Sequence, residues 1–422
     1  MLGLPLTDPV NGGIYIAILV ISALLIAWRL RKRDVVSFLL AAVIATVAFF
    51  VLKHWDVPFY LFVAGLVPIA ALISLIHHAG RRVLMAVIAA FSALAVAGLA
   101  NMEYQSYPDI ASLDPTPVAQ EMDYSQFKAM KSSDSAAIVH VDLPGAISGF
   151  SARQAIAYIP PAYWSKKDIN LPVLVLLHGN PGGPEQWFGS GEAAETADAF
   201  QRANGGLSPI VVAVDATGSE TANPICADTS VAKVMTYLTT DVPTGIKTAF
   251  RVDENQQHWT VAGLSYGGTC SLQILTNHPE AYGQAVDISG EAEPTIGNHA
   301  ATVSKFYGGD EAAYQAANPA HLLATKKYPD HQAIFIAGNR DTAAVKALGQ
   351  LNDAARGAGM ATYYTSRPGG HSFEVWRPAL REVIAWVARR GRAGRPHRFF
   401  RWSTRCRSSA LTTSDTSRGA FR

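Results

Sequence analysis

The stretch that decides the fold of this chain is Val261-Ala262-Gly263-Leu264-Ser265-Tyr266-Gly267-Gly268. An apolar run from Trp259 to Ala262 predicts a buried strand, and helical spacing follows from Thr269 to Leu275. The glycines between them predict a sharp strand-to-helix turn, because they let two backbone segments pass closely. Such a nucleophile elbow exposes the Ser265 hydroxyl on a strained corner. Ser265 is therefore the candidate nucleophile.

A serine hydroxyl needs a base to take its proton at neutral pH. The candidate base is His371, which follows the last predicted strand on a glycine-rich loop, just before the final predicted helix. In α/β-hydrolases the chain order is serine, acid, histidine, and the histidine loop lies at this position. His371 is therefore expected to activate Ser265.

The acid should lie between Ser265 and His371, at the end of a strand. Asp341 follows the apolar run that ends at Gly338, and its expected role is to hold the His371 tautomer. Asp287 is the alternative acid, while Asp310 and Asp330 lie in poorer context. An aspartate before a helix is also an ordinary N-cap, so a purely structural Asp341 stays open.

An oxyanion hole needs two N–H donors, one from the residue after the nucleophile and one from an earlier strand–loop junction. Tyr266 supplies the first. The second should come from the loop after the apolar run 173–177, where Asn180 is the favoured donor and Gly179 the next. His178 is expected to be structural. Trp187, Trp376 and Tyr266 are expected near the mouth of the site. Aromatic packing is the default explanation for them, and contact with an acyl chain or sugar is the functional one, for which Trp187 and Trp376 are the candidates.

Short apolar runs alternate with helical patterns from residue 136 onward, which predicts a mostly parallel α/β sheet with helices on both faces. The candidate strands are Ala137–Leu143, Ala152–Ile159, Leu171–Leu177, Pro209–Asp215, Trp259–Gly263, Gln284–Ser289, Gln332–Ala337 and Met360–Thr365. The candidate helices are Glu192–Arg202, Ser230–Phe250, Thr269–His278, Ala343–Gly357 and Phe373–Arg390. Residues 136–390 are thus predicted to form the catalytic domain.

The hydrophobic excess of the chain, 49% of its residues, is concentrated in the first hundred. Four uncharged apolar runs lie there, each about as long as a membrane-crossing helix needs to be. They are Gly12–Trp28, Val35–Leu52, Val57–Ile76 and Val83–Ala100. Residues 1–101 are therefore predicted to form a four-span domain in the lipid bilayer. The 35 basic and 33 acidic residues nearly balance, which argues against a nucleic-acid partner.

The positive charges predict the orientation of these spans. Arg29, Arg31, Lys32 and Arg33 separate the first two runs, and Arg81 and Arg82 the last two. Both turns should be cytoplasmic, so the N-terminus and everything after Ala100 should lie outside a multi-pass cell-membrane protein. Residues 102–135 are polar with three prolines and are interpreted as a linker. The arginine- and serine-rich residues 391–422 are interpreted as a disordered tail.

The chain has three cysteines, Cys226, Cys270 and Cys406. The loops carrying the first two should meet at the carboxyl edge of the sheet, and a disulfide between them would brace the site outside the membrane. The sequence has no CxxC, HExxH or acidic calcium-binding loop, so no catalytic metal is expected. It also lacks a glycine-rich phosphate loop between strand and helix, so no cofactor is expected.

The segments 263–268 and 371–376 together resemble the putative-esterase group of α/β-hydrolases, which includes esterase D-like enzymes and the antigen 85 mycolyltransferases of actinobacteria. The resemblance covers roughly residues 136–390. It implies that Ser265 is acylated, with His371 as base and Asp341 as acid. Antigen 85 proteins differ in having a glutamate acid, an Asp-Gly oxyanion turn and no four-span domain. The resemblance therefore supports an acyl-enzyme mechanism more strongly than a mycolate substrate.

These observations predict a membrane-anchored, extracytoplasmic serine esterase or acyltransferase. Its substrates would be esters, including acyl lipids of the cell envelope, and the acyl group would pass to water or to a sugar hydroxyl. The alternative is a surface protein that keeps the hydrolase fold only for binding. A peptidase is a weaker third interpretation, since no propeller or further substrate domain is visible in the sequence.

Overall fold

The computed structural model describes residues 3–28, 32–52, 57–77 and 81–390. It begins with four helices, each long and apolar enough to cross a membrane: α1 (Pro9–Ala27), α2 (Lys32–Leu52), α3 (Phe59–His77) and α4 (Arg82–Tyr104). The N–H of Leu6 donates to Pro108 O, and the N–H of Ile110 donates to Leu4 O. The start of α1 and the end of α4 therefore lie at the same end of the bundle.

The rest of the chain alternates strands with helices around one sheet. In order, these elements are β1 (Gln120–Asp123), α5 (Tyr124–Ala129), β2 (Ala137–Val141), β3 (Ala155–Ile159), α6 (Ala162–Ser165), β4 (Val173–Leu177), α7 (Glu185–Phe188), α8 (Ala193–Ala203), β5 (Ile210–Val214), α9 (Val234–Thr236), α10 (Val242–Ala249), β6 (Thr260–Leu264), α11 (Tyr266–Asn277), β7 (Gln284–Ile288), α12 (His299–Tyr307), α13 (Glu311–Ala317), α14 (Pro319–Thr325), β8 (Gln332–Gly338), α15 (Thr342–Gly357), β9 (Ala361–Arg367) and α16 (Phe373–Arg390).

The nine strands form a sheet in the order β1-β2-β3-β5-β4-β6-β7-β8-β9. Only β3 runs antiparallel to its neighbours, and every other adjacent pair is parallel. β4, β5, β6 and β7 are buried along their whole length, because helices cover both faces. α8 and α16 pack on one face, and α10, α11 and α15 pack on the other. The loops after β4, β6, β8 and β9 consequently meet at one carboxyl edge.

The predicted linker is the main correction to the domain boundaries. β1 and α5 lie inside residues 102–135, and β1 pairs in parallel with β2, starting at Gln120 opposite Ala137. Only Met122 of β1 is buried, so the strand has no apolar alternation that a sequence could reveal. α4 also continues to Tyr104, past the predicted end of the membrane domain. Residues 391–422, predicted to be a tail, lie outside the described residues.

Two helical regions also differ from the prediction. Ser230–Phe250 was predicted as one helix, but it divides into α9, a π-helical turn at Tyr237–Asp241 and α10. α12, α13 and α14, between β7 and β8, were not predicted. They are nine residues long or shorter, with too few turns for a clear hydrophobic period.

The turn from β6 into α11 depends on a very close backbone approach. A Cβ on Gly263 would lie 2.2 Å from the carbonyl carbon of Gly267, and one on Gly267 would lie 2.3 Å from the carbonyl oxygen of Leu177. Between these glycines, Ser265 has φ 53° and ψ −120°, a conformation that costs a non-glycine residue free energy and that clusters at functional sites. The elbow predicted from the sequence is therefore present in the backbone.

Replacing Gly263 by alanine should destabilise the protein by about 3 kcal/mol, because the new methyl group has no space against Gly267. The measurement is thermal or urea unfolding of the full-length protein in detergent. The control is Gly349→Ala in α15, where an added Cβ meets nothing within 4 Å; it should stabilise the helix by up to about 1 kcal/mol. Equal stability of the two variants would contradict the steric argument.

Candidate active site

Asp341 joins β8 to α15 and performs two tasks at once. Its Oδ1 accepts the N–H of Ala344 at 3.1 Å and caps the helix. Its Oδ2 lies 2.6 Å from Nδ1 of His371, on the loop between β9 and α16. The two interpretations of Asp341 left open by the sequence, helix cap and partner of the histidine, therefore both describe the structure.

The surroundings keep the Asp341 carboxyl ionised. Burial alone would raise its pKa, but the hydrogen bond and charge interaction with His371, together with the Ala344 N–H, outweigh burial and lower the pKa. An ionised Asp341 bonded to Nδ1 fixes the orientation of the ring and leaves Nε2 of His371 to take a proton. This is the arrangement that a general base requires.

Trp376 connects the histidine loop to the elbow. Its ring meets the His371 ring edge to face at 5.2 Å, and its Nε1 donates to Ser289 Oγ at 3.1 Å. The residue before Ser289, Ile288, accepts the N–H of Ser265 at 2.8 Å. The indole is almost fully buried, so Trp376 supports the histidine, and its contact with substrate stays a prediction.

Ser265 and His371 thus lie at the same edge of the sheet, joined through the end of β7. Among the described residues, however, no hydrogen bond connects the Ser265 hydroxyl to His371. Such bonds are often long in enzymes without substrate and shorten in the reacting complex. Ser265 is half-buried and has the strained backbone conformation expected of a nucleophile elbow. The transfer of its proton to His371 remains a prediction.

The loop after β4, called the oxyanion loop because it was predicted to supply an oxyanion donor, rules out one of the two donors predicted there. The N–H of Gly179 donates to Oε1 of Gln186 at 2.8 Å and is not available to a substrate. The N–H groups of Asn180 and Tyr266 have no acceptor within the part of the chain that the structure describes. A Cβ on Gly179 would lie 3.7 Å from Cβ of Ser265, so this loop borders the nucleophile. Nothing in the sequence indicated Gln186, since its pairing depends on how the loop folds back.

An ion pair between the partly exposed Arg153 and the buried Asp215 holds the same loop in place. Arg153 Nη2 lies 2.8 Å from Asp215 Oδ1 and donates to Gly182 O at 2.9 Å. The fully buried His178, expected to be structural, places Nε2 3.3 Å from Asp215. Burial opposes ionisation of Asp215, but hydrogen bonds from His178 and Arg153 outweigh it and hold its pKa well below the usual range. Sequence analysis missed Arg153 and Asp215, which are 62 residues apart in the chain.

Trp187 does not contact the site as predicted. It is fully buried, and its Nε1 donates to the carbonyl of Leu177 at 2.9 Å. Trp187 thus packs in the buried cluster under this face of the sheet, as the default interpretation of the sequence expects. Its hydrogen bond anchors α7 to the end of β4, one residue before the oxyanion loop begins.

Cys226 and Cys270 form a disulfide with their Cα atoms 5.5 Å apart. The N–H of Cys226 donates to the Tyr266 hydroxyl at 3.0 Å, and that hydroxyl donates to Ala216 O at 3.1 Å. The elbow helix is therefore tied to the loop after β5 by one covalent bond and two hydrogen bonds. Cys406 lies outside the described residues. Within the described ranges, no group of three or more His, Cys, Asp or Glu side chains could hold a metal ion.

Asp287, the alternative acid, lies buried beneath the elbow. Its Oδ1 accepts the N–H of Gly290 at 2.9 Å, whereas its Oδ2 has no hydrogen-bond partner. A Cβ on Gly268 would lie 2.5 Å from this Oδ1, so the carboxyl packs on the first turn of α11. Burial raises its pKa to about 8, which keeps it neutral at pH 7. A neutral acid cannot stabilise an imidazolium. Asp341, which is bonded to His371, is therefore favoured over Asp287 as the acid.

Comparison with known proteins identifies the family of the C-terminal domain. A family model described as putative esterase matches residues 151–387. An uncharacterised protein of Corynebacterium glutamicum is 44% identical over 386 residues, covering 86% of this chain and 91% of that protein. A ferulic acid esterase structure aligns with a TM-score of 0.53 at 21% identity, over 60% of this chain and 98% of its own. The structure of an S-formylglutathione hydrolase from Agrobacterium tumefaciens aligns with a TM-score of 0.50 at 18% identity, over 61% of this chain and 95% of its own. The predicted α/β-hydrolase fold is confirmed.

Replacing Asp287 by asparagine should stabilise the protein progressively as the pH rises. The wild-type folded state holds a proton on Asp287 between about pH 4 and 8, so its stability falls across this window and the variant's does not. The difference should grow by at most about 1.4 kcal/mol per pH unit and level off above about pH 8. Urea unfolding of the full-length protein measures it, with the exposed Asp353→Asn as control. A difference independent of pH would contradict the buried neutral carboxyl.

Proposed function

Since this chain belongs to the putative-esterase family, we propose that its C-terminal domain is a serine esterase or acyltransferase that acts through an acyl-enzyme. The observation that carries the proposal is the 2.6 Å hydrogen bond between Asp341 and His371. The same edge of the sheet carries the strained Ser265 and, among the described residues, the N–H groups of Asn180 and Tyr266 without an acceptor. A hydroxyl, an imidazole and a carboxylate so arranged are what acyl transfer needs.

In the proposed mechanism, Ser265 Oγ attacks the carbonyl carbon of an ester while Nε2 of His371 takes its proton. Asp341 stabilises the imidazolium, and the N–H groups of Asn180 and Tyr266 hold the oxyanion. The alcohol leaves with the proton from His371, and the acyl group stays on Ser265. Water, or a sugar hydroxyl, then loses a proton to His371 and attacks the acyl carbonyl carbon. The bond to Ser265 Oγ breaks as His371 returns that proton to Oγ, which releases the acid or the acylated sugar and restores Ser265.

We further propose that α1–α4 anchor this domain in the cell membrane, with the catalytic domain on the extracytoplasmic side. The four helices are apolar and mostly exposed in the bundle, at most 28% of each span being buried, as helices that face lipid would be. The first helix starts and the fourth ends on the same side, as an even number of crossings requires. A disulfide also suits an oxidising compartment. Envelope acyl lipids are then accessible ester substrates.

A fluorophosphonate probe should label the folded wild-type protein, because its phosphorus is attacked by an activated serine. Ser265→Ala should abolish labelling and lower the hydrolysis of p-nitrophenyl esters by at least about 1,000-fold. Ser165→Ala, at an exposed position of α6, is the matched control and should retain both labelling and ester hydrolysis. A folded wild type that is neither labelled nor active would favour the alternative, a hydrolase fold kept for binding.

The orientation can be tested by thiol labelling in a Cys406→Ser background. A membrane-impermeant maleimide should label Lys167→Cys, an exposed position of the catalytic domain, on intact cells. It should label His78→Cys, between the third and fourth apolar runs, only after the cells are permeabilised. The reverse pattern would place the catalytic domain in the cytoplasm and overturn the proposed orientation.

A further inference from the structure

One arginine binds the end of the helical bundle to the catalytic domain. Arg377 of α16 is only 6% exposed, and its Nη2 donates to the carbonyls of Gln105 and Ser106, each at 2.7 Å. These are the first two residues after α4. Its Nε donates to Ser190 O at 2.7 Å and lies 3.0 Å from Glu192 Oε1. A planar guanidinium with several donors can hold four such acceptors at once.

This arginine is also close to the catalytic histidine. Its guanidinium lies 5.5 Å from the ring centre of Phe373, and that ring meets Trp376 at 4.8 Å. Trp376 in turn meets His371 at 5.2 Å. Three consecutive ring contacts therefore separate the catalytic imidazole from the group that holds the end of α4. The edge of the sheet that carries the site lies next to the bundle.

The end of the bundle has the composition of a membrane–water interface. The Tyr60 hydroxyl donates to Glu103 at 2.8 Å, near the start of α3 and the end of α4. Large apolar side chains are exposed in the segments that emerge there, including Leu4, Tyr107 and Leu113. Tyrosines and exposed apolar residues at this level are typical of segments that lie at the headgroup boundary.

We infer that the Arg377 clamp, defined by its bonds to Gln105, Ser106, Ser190 and Glu192, holds the active-site edge at the bilayer surface and directs it to esters carried by membrane lipids. The inference rests on the proposed esterase function and adds the residue that positions the site for membrane-borne esters, without itself contacting substrate. Lipid esters lie near the headgroup boundary, so a site held at that height meets them at a high effective concentration. A soluble ester reaches the site equally well whether or not the clamp holds the domain at the bilayer surface.

The test uses the full-length protein reconstituted in phosphatidylcholine vesicles and two probes. p-Nitrophenyl acetate reports on the soluble ester, and 4-methylumbelliferyl oleate, which partitions into the bilayer, reports on the membrane-borne ester. Arg377→Gln should lower oleate hydrolysis by about tenfold or more while acetate hydrolysis stays within about twofold. Arg377→Lys, which keeps the charge but cannot reach all four acceptors, should show a smaller loss of the same kind.

Arg381→Gln is the matched control, because Arg381 lies one turn further along α16 and contacts Glu192 at 3.4 Å without reaching the bundle. It should retain both activities. A flexible insertion after Pro117 should leave acetate and oleate hydrolysis unchanged in the wild type, because the clamp still holds the domain. In Arg377→Gln the same insertion should lower oleate hydrolysis further. Equal loss of both activities in the two Arg377 variants, or full retention of oleate hydrolysis, would overturn the inference. A wild type inactive on both probes would instead refute the proposed function.

Discussion

The structure depends on a steric constraint at the crossing of β6, α11 and the end of β4. Gly263 faces Gly267 and Gly267 faces the Leu177 carbonyl, at distances that leave no space for a methyl group. That crossing forces Ser265 into a positive-φ conformation and brings the oxyanion loop, which begins right after Leu177, beside it. The proposed nucleophile and the proposed oxyanion donors are thus placed relative to each other by backbone contact. Such preorganisation is what electrostatic catalysis requires.

The remaining loops at this edge are each held by a different polar or covalent link. Asp341 fixes the histidine through a carboxylate that also caps α15. Arg153 and Asp215 fix the oxyanion loop from the side of β5, and the disulfide joins the β5 loop to α11. Each link connects a loop to a rigid strand or helix, so the catalytic groups have little freedom to move apart. The Arg377 clamp extends the same principle to the position of the whole domain.

Much of this could be predicted from the sequence, because its strongest signals are local. The fully apolar runs of β4 and β5 predict buried parallel strands, and the order of Ser265, Asp341 and His371 predicts their shared edge. β1 has one buried residue, Met122, and no period to detect. Gln186 blocks the Gly179 N–H and Trp187 lies in the core because of how the loop after β4 folds back. Arg377 meets Gln105 across 272 residues of chain, a pairing that no local pattern reports.

The most direct test of the account is to trap the covalent intermediate. After brief incubation with p-nitrophenyl butyrate and acid quenching, intact-mass spectrometry should show one added butyryl group per chain. Peptide mapping should place that group on Ser265. Ester turnover without any adduct under conditions that trap acyl-enzymes, or an adduct on another residue, would contradict the assignment of Ser265 as the nucleophile.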